Sequence, residues 1–329
     1  MTVNVKTARA YAFVLLIFAL FSAADAQKRT KRKTSVPARQ SVLTNPVLWE
    51  PVDARDLDLY LGPGGEAMQP DLSNVTFIKE EKQGHNKKYR IRDARGQEWV
   101  AKLGRESQPE TTAVRLLYGL GYKTEVNYLA PTITIPGKGT FSNVRLEARP
   151  GYVERLDEWK WKSNPFVGTN ELQGLKIMMV FMTNWDLLDL QNKVLRVDDG
   201  GRVEHQFVVS DLGATYGKLG NNNLPFLFRL GRKTNNPRVW SKARFIKGVE
   251  GNRIVFAFKG KGRGLMKNIT VEQGRWLLAR LSRLSERQLQ DVYRAANYSP
   301  TDVDILTKAS QRRIRELAEA VGRGNLASR

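Results

Sequence analysis

The alternation of apolar and polar positions divides the chain into segments of different period. Val75 to Lys82 reads as a strand, Gln83-Gly84-His85-Asn86 as a turn, and Lys88 to Arg92 as a second strand. Ala94-Arg95-Gly96 turns again, and Gln97 to Leu103 is a third strand. Turns this short join antiparallel neighbours, so the segment is a meander. The period then becomes helical. Ala113, Leu116, Leu117 and Leu120 form one stripe, Ser107 with Glu110 has the form of a capping box, and Gly121 ends the run. Strands at about 128–136 and 142–148 follow.

The second half has a different pattern. Asn170 to Thr183 carries Leu175, Ile177, Met178, Met179, Val180, Phe181 and Met182, apolar on every side, which predicts a buried helix. Lys193 to Val197 and His205 to Val209 read as a hairpin. Thr270 with Gln273, Ser285 with Gln288 and Ser299 with Asp302 each place a cap before an amphipathic run. Leu306, Ile314, Leu317 and Val321 keep helical spacing in the last of these. Residues 41–70, rich in Pro, Gly and Asp and without a period, are expected to wrap the surface. The fold class is therefore α+β: a small antiparallel sheet with one helix over 71–150, followed by a mainly helical part over 151–329.

The N-terminus follows another rule. Lys6 and Arg9 precede an apolar run from Tyr11 to Ala23, and Ala24-Asp25-Ala26 offers a small-x-small cleavage site before Gln27. This predicts a signal peptide over 1–26 and an extracytoplasmic destination, periplasmic or secreted. The run is short for a spanning helix, which needs roughly 20 apolar residues, although retention as an anchor stays open. No later segment is long and apolar enough to span. Residues 27–40 hold six Lys or Arg and no acid, a basic linker that serves as a solvated tether or as a contact for anionic lipid or envelope polymer. The whole chain carries a formal charge of +21 and no cysteine, so disulfides cannot support the fold. Two histidines, His85 and His205, are too few for a histidine-rich metal site.

The order of the remaining polar residues carries the chemistry. A strand ends in Val100-Ala101-Lys102 and a helix with Glu110 follows at once. Glu110, Ala113 and Leu117 share one helix face, so Glu110 points inward, where an acid needs a partner. Downstream, Asn184-Trp185-Asp186 ends the buried helix, Asp189 and Asn192 follow, and an apolar strand Phe207-Val208-Val209 runs into Ser210-Asp211-Leu212-Gly213. Phosphoryl transfer from a nucleotide needs a lysine on the phosphates, a carboxylate that holds the lysine, a base for the acceptor hydroxyl, and an amide and carboxylate for divalent metal.

On these residues the chain resembles the protein-kinase-like superfamily, over roughly 75–300, and is nearer its atypical branches: the phosphoinositide-kinase-like, HipA-type and secreted or spore-coat kinases. The resemblance implies ATP with Mg or Mn in a cleft between two lobes. Lys102 and Glu110 would serve the nucleotide, with Gly84, Lys87 and Lys88 in the phosphate-covering turn. Asp186 would be the base, with Asp189 as its alternative, and Asn192 and Asp211 would hold metal. The chain departs from the usual pattern in three places. Asn192 lies six residues after Asp186 where five is usual, Trp185 replaces the usual His or Arg, and the covering turn has a single glycine.

Residues 217–265 hold twelve Lys or Arg against one acid, Glu250. Arg229, Arg232, Lys233, Arg238 and Arg244 are candidates for docking an acidic or phosphorylated acceptor, or belong to a basic solvated surface. Export and the absence of a nucleic-acid-binding signature argue against nucleic acid. Two functions follow. One is an exported kinase-like phosphotransferase acting on an unidentified acceptor. The other is a catalytically inactive kinase fold that binds an anionic envelope component.

Overall fold

The computed structural model describes residues 43–82, 86–219 and 232–327, so the expected signal peptide and basic linker, Gly84 and Arg229 lie outside the described residues. Strands β2 (Thr76–Glu81), β3 (Lys88–Arg92) and β4 (Glu98–Lys102) form the expected antiparallel meander. Strands β5 (Asn127–Ile135) and β6 (Gly139–Ala148) complete a five-stranded sheet in the order β2-β3-β4-β6-β5. Because side chains alternate across a strand, register decides which residues share a face. Tyr89, Ala101, Leu146 and Tyr128 lie side by side on one face and belong to an apolar core of their own, with Ile91 and Trp99. On the opposite face Lys88, Lys102 and Arg145 form one cross-strand row, and Arg90, Val100, Glu147 and Asn127 form the next.

Helix α1 (Ser107–Gly119) packs across β5 and β6. The capping box expected at its start is absent. Glu106 takes the N-cap position without a side-chain cap bond, and Ser107 lies inside the helix. The Ser107 hydroxyl donates instead to the Lys102 carbonyl at 2.9 Å, tying the end of β4 to the start of α1. A four-residue strand-to-helix connection is so tight that the serine is used to close it. The apolar stripe of α1 belongs to the larger core, which holds Ala113, Val114, Leu116, Leu117 and Leu120. Between α1 and the sheet is a polar layer. Arg115, 1% exposed, donates to the Asn127 carbonyl at 2.7 Å, and its guanidinium lies 5.2 Å from the Tyr128 ring centre.

The second lobe is mainly helical. Helix α2 (Asn170–Phe181) starts at Thr169, whose hydroxyl accepts from Leu172 N at 3.2 Å, and its last seven residues are all buried. Helices α3 (Pro237–Lys242), α4 (Val271–Leu281) and α5 (Glu286–Arg294) each contact the long C-terminal helix α6 (Pro300–Ala327). The capping boxes at Thr270–Gln273 and Ser285–Gln288 are present. Among the described residues no helix is long and apolar enough to cross a membrane.

A second sheet runs β1 (Pro46–Val47), β9 (Arg202–Val209), β8 (Asn192–Asp199) and β7 (Val153–Arg155), with β1 parallel to β9. Two short antiparallel pairs lie further on, β10 (Lys218–Leu219) with β11 (Arg232–Lys233) and β12 (Ile246–Glu250) with β13 (Arg253–Phe256). The segment before the meander does more than wrap the surface. Leu48, Ala54 and Leu59 are buried in the larger core, and His205 is anchored by Thr44, whose backbone N donates to Nδ1 at 3.2 Å. Without a repeating pattern, three isolated apolar residues give no sequence signal, yet each fills a gap in the packing.

Candidate active site

Lys102 sits at the end of β4, the middle strand of the sheet, and is 2% exposed. A lysine that deep requires neutralising partners. Its Nζ lies 2.9 Å from Glu110 Oε2, 2.9 Å from Glu106 Oε2 and 3.2 Å from Asp211 Oδ1. Burial works against the ammonium, but Glu110 and Asp211 outweigh it and hold the Lys102 pKa above its ordinary value. Asp211 reaches this point because β9 ends beside β8, where the backbone N–H groups of Ser210 and Asp211 donate to the Gln191 carbonyl at 2.8 and 3.2 Å. Burial pushes the Asp211 carboxyl up, while Lys102 and Arg145 pull it down more strongly and leave it below the usual carboxylate range. Gly213 is required here for space, since a Cβ at that position would lie 2.6 Å from Glu106 Cβ.

The cluster continues as a chain of ion pairs along the charged face of the sheet. Arg145 Nη1 meets Glu110 at 2.7 Å and its Nη2 meets Glu147 at 2.5 Å. Glu147 also takes Arg149 and, at 3.2 Å, Arg155, which pairs with Glu125 as well. Arg155 Nη2 donates to the Ser210 hydroxyl at 2.8 Å, which closes the loop back to Asp211. Burial alone would raise the Glu147 pKa, but Arg149 and Arg145 hold it down at about 2. Glu110 is pushed up by burial against the pull of Arg145 and Lys102. With donor-only groups on both of its oxygens, it functions as a carboxylate.

Lys102, Glu110 and Asp211 are therefore brought together, and they line one cavity of about 310 Å³ along with Lys88. Lys87 does not line it; its ammonium lies 5.3 Å from the Tyr89 ring centre. Asp186, Asp189 and Asn192 also stand outside the lining. Asp186 Oδ1 pairs with Lys261 Nζ at 2.6 Å, and its Oδ2 accepts from Gln191 Nε2 at 2.9 Å. Gln191 thus bonds the Asp186 side chain and, through its carbonyl, the backbone of Asp211. Asp189 Oδ1 accepts from the Trp161 backbone N at 3.0 Å, a structural contact. Asn192 is fully buried; its Nδ2 donates to the Trp159 carbonyl at 3.0 Å, and its Oδ1 has no hydrogen-bond partner among the described residues.

Among the basic candidates, Lys233, Arg238 and Arg244 are exposed, and Arg244 is also held by local carbonyls, at 2.9 Å to Ile246 and 2.8 Å to Lys247. For Arg232 only the backbone is described, in β11. The sequence reading missed Glu106, Arg145, Glu147, Arg149 and Arg155. A signal for three of them was present: Arg145, Glu147 and Arg149 recur at every second position of an otherwise apolar run, which puts all three on one face.

The donor set fits one end of a phosphate ligand with a divalent ion. Mg²⁺ is commonly held by one or two carboxylates plus substrate phosphates. Here Asp211 is the carboxylate, 40% exposed at its side chain, while Asn192, whose Oδ1 is orphaned, pairs in β8 with Val209, two residues before Asp211. No group of three or more His, Cys, Asp or Glu among the described residues could hold a metal without such a ligand. The base end fits poorly, because the walls away from Lys102 carry charge where an adenine ring would need apolar surface.

No known family's sequence model matches the chain, and no curated protein matches it. Solved structures do resemble it. The chain is similar to the proinflammatory kinase CtkA of Helicobacter pylori, with a TM-score of 0.46 and 11% identity, over 78% of this chain and 98% of that one. It is also similar to the Rio2 kinase of Chaetomium thermophilum in complex with ADP/Mg²⁺ and phosphoaspartate, with a TM-score of 0.30 and 10% identity, over 74% of this chain and 71% of that one.

Proposed function

We propose that this chain is an exported kinase-like phosphotransferase, with 71–150 and 151–329 as its two lobes and the Lys102 cavity as the phosphate site. The observation that supports this most directly is the joint hold of Glu110 and Asp211 on a buried lysine, at 2.9 and 3.2 Å, across two elements far apart in sequence. Lys102 places a fixed cation against the phosphates of the donor. Glu110 positions that cation from behind. Asp211, with Asn192, would hold a Mg or Mn ion, which neutralises charge on the phosphates when bound. An acceptor hydroxyl attacks the terminal phosphorus, its proton passes to Asp186, and the P–O bond to the rest of the donor breaks, the leaving oxygen keeping the electron pair. Lys261 and Gln191 each bond one oxygen of Asp186 and so fix its orientation. Lys233 and Arg238 remain exposed for an acidic acceptor.

The test is metal-dependent thermal stabilisation and phosphoryl release with ATP and with tripolyphosphate, each with Mg²⁺ or Mn²⁺. A ligand at 100 times its Kd adds about 2.7 kcal/mol if it binds only the folded chain. Lys102→Ala and Asp211→Asn should both lose the shift, whereas Asp186→Asn should keep it and lose turnover. A shift with no turnover in the unaltered protein would favour the second reading, an anion-binding protein. The pairing of Asp186 with Lys261 and of the Asn192 amide with Trp159 favours that alternative.

A further inference from the structure

The proposed phosphate site defines only one end of its ligand. The rest of the cavity is set by β-register. Lys88, Lys102 and Arg145 stand directly opposite one another on three neighbouring strands, and Glu147 is opposite Val100. Like charges in one cross-strand row are destabilising, so the arrangement persists only because acids brace it from behind. Among the described residues that line the cavity, seven are Lys or Arg, four are carboxylates, one is Ser210 and the only apolar one is Val100.

What those groups have left to offer is donors. Glu147 is already shared by Arg145, Arg149 and Arg155. Glu110 has Lys102 and Arg145 on its two oxygens. Glu81 is taken by Arg90 at 3.1 Å and Lys79 at 3.5 Å. Against this, Arg145 Nε is buried and has no hydrogen-bond partner among the described residues, in a side chain 4% exposed. Lys88 has no acidic partner among the described residues, while Glu98 and Glu158 balance Arg90 and Lys193 from outside the lining. A purine would bring a flat apolar face and donors of its own. To seat it here would desolvate a guanidinium cluster, and its few ring-nitrogen acceptors would answer only a small part of the N–H groups on offer. A phosphate chain brings acceptors only, and guanidinium groups hold phosphate oxygens in pairs.

We propose that the donor for this cleft, on the phosphotransferase reading above, is a linear inorganic polyphosphate without a base, its terminal phosphate at Lys102 and Asp211 and its chain running towards Arg145, Arg149 and Arg155. The terminal P–O–P bond breaks, the acceptor hydroxyl oxygen gains the phosphoryl group, Asp186 takes the hydroxyl proton, and the chain leaves one phosphate shorter. Such a donor needs no supply of ATP outside the cytoplasm.

The experiment is calorimetric titration of the full chain at physiological salt with sodium tripolyphosphate, ATP and adenosine, each with Mg²⁺, repeated on Arg149→Gln. The expected result is one equivalent of tripolyphosphate bound at least as tightly as ATP, no heat with adenosine, and at least tenfold weaker tripolyphosphate binding in Arg149→Gln, a variant in which Glu147 keeps Arg145 and Arg155 and whose folding at the titration temperature is checked by thermal unfolding. Tripolyphosphate binding that Arg149→Gln leaves intact is general attraction to a basic chain and overturns the proposal. ATP binding tenfold tighter than tripolyphosphate, lost in Lys102→Ala, overturns it while the phosphotransferase reading survives. No binding of either phosphate ligand ends both.

Discussion

Glu110→Gln separates a buried ionic anchor from a mere helix-start acid. The carboxylate is 1% exposed and lies between Lys102 Nζ at 2.9 Å and Arg145 Nη1 at 2.7 Å. Glutamine keeps the shape but removes the charge, and its NH₂ group must face one of the two cations, both donor-only. Removal of one partner from a buried ion pair costs about 3–5 kcal/mol. Lys102 retains Glu106 and Asp211, and Arg145 retains Glu147, so the expected loss is at the lower end, about 3 kcal/mol. At roughly 2–4 °C per kcal/mol for a large domain, the Tm falls by roughly 6–12 °C. Urea unfolding at neutral pH, followed by tryptophan fluorescence, reads the loss directly, with an unchanged slope as the sign that only stability moved. Arg145→Met added to Glu110→Gln should then cost less than the two single losses together, since the two residues are in contact. A loss below about 1 kcal/mol for Glu110→Gln refutes the idea that Glu110 is the charge holding Lys102 in place, and strict additivity with Arg145→Met refutes its coupling to Arg145.

Glu147 sets the acid limit of the fold. Its pKa is depressed from 4.5 to about 2, so the stability it contributes is full above pH 4.5 and is lost as the pH falls from there towards 2, on the order of 3 kcal/mol. Glu147→Gln should be less stable at pH 7 and show a flatter acid dependence; an unchanged dependence would exclude Glu147 as its source. Arg313, fully buried, donates to the carbonyls of Phe181 at 2.9 Å, Trp240 at 3.3 Å and Ala243 at 3.1 Å, and so satisfies the C-terminal ends of α2 and α3. Arg313→Met keeps most of the volume and strands those carbonyls, with an expected loss of at least about 3 kcal/mol in the same urea assay. Gly121→Ala combines a φ of +90° with a Cβ 2.2 Å from the Glu50 carbonyl, and should cost more than about 2 kcal/mol; tolerance of alanine would mean that the Trp49–Glu50 segment does not pack there.

Local pattern determined much of this protein. The meander, the buried run at 175–182 and three of the four expected helix caps depend on spacing within a few residues, and spacing is what a sequence displays. Lys102 and Asp211 were legible because each follows an apolar strand at its end, where a side chain emerges from the sheet. Three things were decided only by tertiary structure. Ser107 looked like a cap, but the tight turn from β4 assigned its hydroxyl to the Lys102 carbonyl. Leu48, Ala54 and Leu59 looked like surface because they have no period, yet the core takes each of them separately. The cavity wall is the largest case. Arg145, Glu147 and Arg149 alternate visibly in sequence, but their effect depends on β6 inserting beside β4, which places Arg145 next to Lys102 and Glu147 next to Val100. Pairing register is a contact between residues more than forty apart, set by the packing of both strands and the helix above them. No local pattern carries it, and it is what makes the cleft a charged site rather than an apolar one.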